Sequence, residues 1–267
     1  MPALFVDGRA DNKVIVFSDR GARSGFNVLA TRHIPEAHLC ASTDRFQVVP
    51  KLVYDGTPPR PLENITDRAS EEFTKRYQQT RGKKDRTITK DAIFHCVYGV
   101  LHDPVYREKY ALNLKREFPR IPFYRDFWQW ADWGKELMDL HIGYESVAPA
   151  KLKRVDVPDE KARKAGVPPK CLLKADKDGG RIIIDSETTL TGIPPEAWEY
   201  RLGNRSALEW ILDQYKEKKP KDPTIREKFN TYRFADYKEK VIDLLMRVTT
   251  VSVRTVDILK SMVNARR

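Results

Sequence analysis

Short apolar runs alternate with turn residues over the first 55 positions. Residues 13–18 (KVIVFS), 26–31 (FNVLAT) and 46–54 (FQVVPKLVY) have the length and the β-branched and aromatic content of strands, and Asp19-Arg20-Gly21 supplies a turn between the first two. The segment TPPRP at 57–61 breaks regular structure and predicts a boundary. From Asp67 the spacing turns helical. Thr89 stands as an N-cap before Ile93, Val97 and Leu101, which recur every four residues with Phe94 and Tyr98 beside them. Asp103-Pro104 then gives a cap and a first-turn proline for a helix that carries Tyr106, Tyr110 and Leu114 on one stripe and ends at Phe118-Pro119. Residues 125–141 place Phe127, Ala131, Gly134, Met138 and His141 on a single face, so three successive helices form a layer.

Residues 151–181 hold ten basic and five acidic side chains. Their first half reads as a solvated connection, and the second half, CLLKADKDGGRIIID, as a hairpin of two apolar runs about a polar, glycine-containing loop. In GIPPEAWEYRLGNRSALEWILDQY, residues 192–215, Pro194 and Pro195 start a short helix bearing Trp198 and Gly203 ends it. Ser206 and Glu209 make the S-x-x-E capping box of the next helix, which bears Trp210. A basic run, KEKKPKDPTIREK, fills residues 216–228. The chain closes with Val241, Leu245, Val248, Val256 and Leu259 at helical spacing, although the β-branched run VTTVSVRTV leaves a strand open there. The expected fold is α+β, mainly helical, with a small N-terminal antiparallel sheet and a later β-hairpin. It divides into a β-rich part at 1–60, a helical layer at 61–150, and a basic linker, hairpin and C-terminal helices at 151–267, together one recognition unit.

Charge narrows the functional classes. Forty-nine Lys and Arg against 38 Asp and Glu give a formal charge of +11, which favours a polyanionic partner. The N-terminus lacks the charged start and apolar core of a leader, and no run reaches the roughly 18 apolar residues of a membrane span, so a cytoplasmic protein is expected. Three widely spaced cysteines, Cys40, Cys96 and Cys171, fit a reducing compartment and not a disulfide framework.

The catalytic signatures are weak or missing. Neither a glycine-rich cofactor loop with an Asn-Pro-Pro-Tyr tetrad nor a GxxxxGK[ST] phosphate loop occurs. Asp159-Glu160-Lys161 and the pair Asp185 and Glu187 have the residue types of a magnesium nuclease, but the first is a contiguous charge run and the second suits a solubilised hairpin edge. His33, His38 and Cys40 lack a fourth zinc ligand at suitable spacing. His95 and His102 fall in a helix and at its end, where core or capping roles are expected, and the aromatic cluster from Phe123 to Trp133 has core spacing.

Contacts to nucleic acid are the stronger expectation. Arg20 and Arg23 lie on a turn between two strands, from which arginines reach guanine edges in the major groove. The loop RGKKDR packs Arg81, Lys83, Lys84 and Arg86 into six residues. Arg201, Asn204 and Arg205 at the turn after Trp198, with Lys216, Lys218 and Lys219 after it, complete the DNA-contacting set. No catalytic or metal-binding residue is assigned.

Several segments taken together carry a family resemblance: FNVLATRHIP at 26–35, NITD at 64–67, DAIFHCVYGVLHDPVYREKYALNLKREFPRIPF at 91–123, DLHIGYE at 139–145, TLTGIPPEAWEYRLGNRSALEW at 189–210 and VTTVSVRTV at 248–256. In this order they resemble the C-terminal target-recognition, or specificity, domain of type ISP restriction-modification enzymes. The resemblance implies sequence-specific recognition of double-stranded DNA that positions an adenine methyltransferase and a restriction nuclease-translocase, with the chain non-catalytic alone. S-adenosylmethionine, ATP and magnesium are implied only for modules absent from this chain, fused or separate. The resemblance carries over a role and no contact list. Two other readings stay open: an interaction domain docking onto methyltransferase or helicase modules, and a small metal-dependent nuclease.

Overall fold

The computed structural model describes residues 12–36, 44–77, 86–218, 221–224 and 232–267. The fold is α+β, and the chain forms two compact units, residues 1–143 with 257–267 and residues 144–256.

In the first unit, strands β1 (Val14–Ser18), β2 (Val28–Thr31) and β3 (Phe46–Pro50) form an antiparallel sheet in the order β2-β1-β3. The central strand VIVFS is buried along its whole length, which explains a continuous apolar run where a half-exposed strand would alternate. Registers Val16↔Leu29 and Val16↔Val48 fix the two ladders. The third expected strand is divided. It breaks at Lys51, whose backbone N–H donates to the Lys13 carbonyl at 2.8 Å. Residues beyond it form β4 (Leu52–Asp55), paired in a separate hairpin with β5 (Arg60–Glu63). TPPRP therefore supplies the turn of a hairpin and the first residues of its second strand, with Pro61 opposite Tyr54 on an outer strand that tolerates proline.

Helices α1 (Asp67–Tyr77), α2 (Lys90–His102), α3 (Pro104–Lys109), α4 (Ala111–Arg116) and α5 (Phe127–Ile142) make the helical layer. Thr89 caps α2 by accepting from the Ala92 N–H at 3.1 Å, and Asp103 caps α3 by accepting from Val105 at 3.0 Å. The single helix expected through Leu114 is interrupted at Tyr110, which ends α3 and caps α4. The first-unit core is the α2–α5 packing, where Tyr98, Leu101, Trp130, Leu137 and Met138 are almost fully buried. Gly99 and Gly134 let the two backbones touch: a Cβ on Gly134 would stand 1.8 Å from the His95 carbonyl oxygen, and one on Gly99 2.5 Å from that of Trp130. Neither position tolerates a side chain, because the obstruction is main chain on both sides.

Beside this crossing the Asp103 carboxylate is wholly buried and fully used. It receives the Tyr124 hydroxyl at 2.8 Å and both arms of the Arg267 guanidinium, at 2.6 and 2.9 Å. Arg267 also donates to the carbonyls of Met262 and Ala265, so the buried carboxylate meets a guanidinium that is itself anchored to the main chain.

In the second unit, β6 (Lys153–Asp156), β7 (Cys171–Asp176), β8 (Arg181–Asp185) and β9 (Thr188–Thr191) form an antiparallel sheet in the order β6-β9-β8-β7. The β7–β8 hairpin matches expectation. The stretch before it holds β6 and α6 (Glu160–Ala165) where a solvated connection was expected, because β6 pairs with the later strand β9. Helix α7 (Glu196–Glu199) ends at Tyr200, and Gly203 instead turns the two-residue strands β10 (Arg201–Leu202) and β11 (Arg205–Ser206). The capping box then starts α8 (Ala207–Gln214) as read from Ser206 and Glu209. The β-branched run near the C-terminus is helical, within α9 (Lys238–Val263). Its residues through Val256 belong to the second unit, where Val241, Leu245 and Val248 join Ile182, Ile184, Leu190, Leu208 and Trp198 in one core. No helix among the described residues is long and apolar enough to cross a membrane.

Replacing Gly134 by alanine will destabilise the first unit by at least the roughly 1–3 kcal/mol of ordinary overpacking, whereas alanine at the exposed helical position Glu136 will leave the denaturant midpoint nearly unchanged. Urea unfolding followed by circular dichroism measures both.

Candidate nucleic-acid interface

The β1–β2 turn is the best-built of the predicted contact sites. Ser18 ends the central strand, and the chain reverses through Gly21 and Gly25, both in the left-handed region at φ 79° and 83° that suits glycine. Between them the backbone N–H groups of Arg23 and Ser24 donate to the two oxygens of Asp44, at 3.0 and 2.8 Å. The Ser24 hydroxyl adds a short bond to the same carboxylate. Beneath the turn the Ser18 hydroxyl accepts from the Asn27 N–H at 2.8 Å and donates to the Gly25 carbonyl at 3.1 Å, and the Asn27 amide reaches the Ser24 hydroxyl at 3.3 Å. Asp44, Asn27 and Ser18 are buried, so this polar network holds the turn from below while Arg20 and Arg23 are exposed above it.

Two further segments meet this turn. The Gly21 N–H donates to the Lys115 carbonyl at 2.8 Å, and Asp19 N–H donates to that of Arg45 at 2.9 Å. The Arg20 guanidinium lies 5.7 Å from the centre of the Phe118 ring, which itself packs edge-on against Phe17 of β1. The result is a rim at one end of the three-stranded sheet carrying exposed Arg20, Arg23, Arg45, Lys115 and Arg116. Its acids are occupied: Asp44 by the turn, and Asp19 by Gln47 and the Arg20 N–H, with the Arg20 and Arg45 charges also holding its carboxyl below the ordinary value. Sequence reading found the two turn arginines but not Arg45, Lys115 or Arg116, which only the fold brings to them.

The other expected contacts are placed as follows. Arg86 is held: its guanidinium sits 3.9 Å over the Trp128 ring, and both oxygens of Asp132 accept from it at 2.9 Å. It borders a cleft of about 340 Å³ lined by Asp91, His95, Trp128 and Lys135. Arg81, Lys83 and Lys84 lie outside the described residues, as do Lys219, His38 and Cys40. In the second unit Arg201 of β10 and Asn204 of the turn after it are exposed, and Arg201 donates to the Asn204 carbonyl. Arg205 is half-buried, paired with Asp213 at 2.9 Å and 5.3 Å from the Trp210 ring. Lys216 and Lys218 are exposed just after α8.

The residues considered for catalysis have structural partners. Asp185 is buried, accepts the N–H groups of Glu187 and Thr188, and pairs with Lys238 of α9 at 2.7 Å. Glu187 accepts the Asp159 N–H at 2.8 Å, and Asp159 caps α6. Among the described residues no group of three or more His, Cys, Asp or Glu side chains is arranged to hold a metal. His102 and His141 are buried against Tyr98, whose hydroxyl meets His141 Nδ1 at 2.6 Å. Burial and the nearby Arg107 charge push His141 down to about 3 and His102 well below its ordinary value, so both rings are neutral core groups at pH 7.

The family model for the type ISP C-terminal specificity domain matches residues 1–244. The chain belongs to this family. The specificity domain superimposes on a chain of the cryo-EM structure of a DrdV–DNA complex with a TM-score of 0.87 and 51% identity, covering 96% of the domain and 25% of that chain. A nuclease-deletion mutant of the type ISP restriction-modification enzyme LlaGI, solved in complex with a DNA substrate mimic, matches at 26% identity and a TM-score of 0.70, over 95% of the domain and 21% of that chain. The ATP-dependent type ISP restriction-modification enzyme LlaBIII bound to DNA shares the fold at 23% identity and a TM-score of 0.73, over 97% and 16% respectively. The specificity domain thus spans a quarter or less of the length of these proteins. No curated protein matches it.

The buried imidazoles of His102 and His141 give the domain an acid-sensitive stability. Unfolded histidine titrates near 6.5, above the folded values, so their contribution is full above that pH and is lost as pH falls below it, for His141 down towards about 3. Stability will drop by up to roughly 1.4 kcal/mol per pH unit for each ring, and His141→Gln will reduce the slope. Urea midpoints measured between neutral and acid pH test this.

Proposed function

We propose that this domain recognises a target site on double-stranded DNA and so directs the modification and restriction modules of a type ISP enzyme to it. The observation that carries the reading is the rim at the end of the first sheet. Five exposed cations from three separate segments converge there, and the acids between them are engaged by the main chain and by Gln47. Such a surface neutralises phosphates and releases counterions, while arginine forks on the turn select base edges. Membership of the specificity-domain family and the likeness to chains solved in DNA complexes support the same reading. DNA is the direct partner, and Arg201, Lys216 and Lys218 of the second unit are further candidate contacts to it.

The domain supplies position and no chemistry. Methyl transfer to an adenine requires the base to leave the stack for a pocket elsewhere in the enzyme, so S-adenosylmethionine, and the ATP and magnesium of translocation and cleavage, belong to the other modules. Arg86, stacked on Trp128 and clamped by Asp132, serves the fold more than the contact.

Fluorescence anisotropy with a labelled random-sequence duplex across a salt series tests the proposal. Affinity will fall with rising salt, and alanine at Arg20, Arg45 or Lys115 will each lower the logarithmic salt slope by about one. Alanine at Arg86 will leave the slope unchanged. Binding that is absent or independent of salt overturns the reading in favour of a protein-docking domain.

A further inference from the structure

The turn arginines differ in how they are held, and the difference assigns them separate roles within the DNA-recognition reading on which this inference rests. Arg20 leans on the Phe118 ring at 5.7 Å, and its N–H is bonded to the neighbouring Asp19 at 2.7 Å. Arg23 has an exposed side chain on an immobilised backbone, and among the described residues no carboxylate forms an ion pair with it. Its own N–H and that of Ser24 end on the two oxygens of Asp44, a carboxylate only 3% exposed. Asp44 comes from the segment entering β3, about twenty residues away along the chain, so it braces the turn from a different strand.

We infer that Arg23 is a specificity-determining residue that reads a guanine in the major groove, and that Asp44 is its positioning residue. A base-reading side chain needs a main chain that does not shift between correct and incorrect sites, since the bidentate fork discriminates only at fixed geometry. The Asp44 brace supplies that constancy by fixing the backbone at positions 23 and 24. Asn27 and Ser18 hold the turn from below through their hydrogen bonds, and Gly21 and Gly25 permit its left-handed corners. Arg20, Arg45, Lys115 and Arg116 hold phosphates.

The test is selection from a pool of duplexes with a randomised central segment, followed by sequencing. The wild-type chain will enrich a motif containing guanine. Arg23→Lys, which keeps the charge but loses the fork, will relax a single guanine position by roughly tenfold to a hundredfold, with affinity for the unselected pool changed by no more than about twofold. Asp44→Asn will relax that same position and no other, and Ser24→Ala, which removes one bond to the brace, will do so more weakly with an unchanged melting curve. A motif unaltered in Arg23→Lys overturns the assignment of Arg23. Weakening of every position alike in Asp44→Asn and Ser24→Ala overturns the positioning role of Asp44. A wild-type chain that enriches nothing overturns the recognition reading itself.

Discussion

Main-chain contact between α2 and α5 is the constraint on which the first unit depends. Helices normally meet through side chains, at separations those side chains set. Here Gly99 and Gly134 remove the spacers, and each backbone runs against the other's carbonyl oxygens. Close approach leaves small gaps that only particular shapes fill, so Tyr98, Trp130 and Met138 are packed with almost no exposed surface. The same closeness explains how two histidines enter the interior. His102 bonds to the Tyr98 carbonyl through one ring nitrogen at 2.9 Å, and His141 takes the Tyr98 hydroxyl. They are neutral because burial, with the Arg107 charge beside them, disfavours the charged ring.

Asp103 and Arg267 solve a related problem at the edge of this layer. A capping aspartate at the joint of α2 and α3 is ordinarily solvated. Here it is buried, and the guanidinium supplies the charge and the two donors that water would have given. In the second unit Asp185 and Lys238 repeat the arrangement, with two N–H groups sharing the carboxylate. Both acids serve architecture.

The helical layer was legible in the sequence because its signals are local. Thr89, Asp103-Pro104 and the Ser206–Glu209 box each announce a helix end within four residues, and the structure shows all three. Strand partners were less legible. Nothing in KRVD marks it as a strand until β9 lies beside it, and the cut at Lys51 depends on a bond to Lys13. The candidate site divides in the same way. Arg20 and Arg23 stand between two obvious strands, whereas Arg45, Lys115 and Arg116 join them only through tertiary hydrogen bonds. Arg86 shows the converse: a cation in a basic run whose partners, Trp128 and Asp132, lie more than forty residues away. Charge runs in sequence do not reveal which charges are already paired.

The bonds that Asp44 makes to the β1–β2 turn have a consequence for what position 23 can carry. Apart from the Ser24 hydroxyl, they end on peptide N–H groups, and every residue except proline supplies one. The shape of the turn is therefore indifferent to what position 23 carries. A new side chain there inherits a finished platform, so position 23 can change without renegotiating the fold.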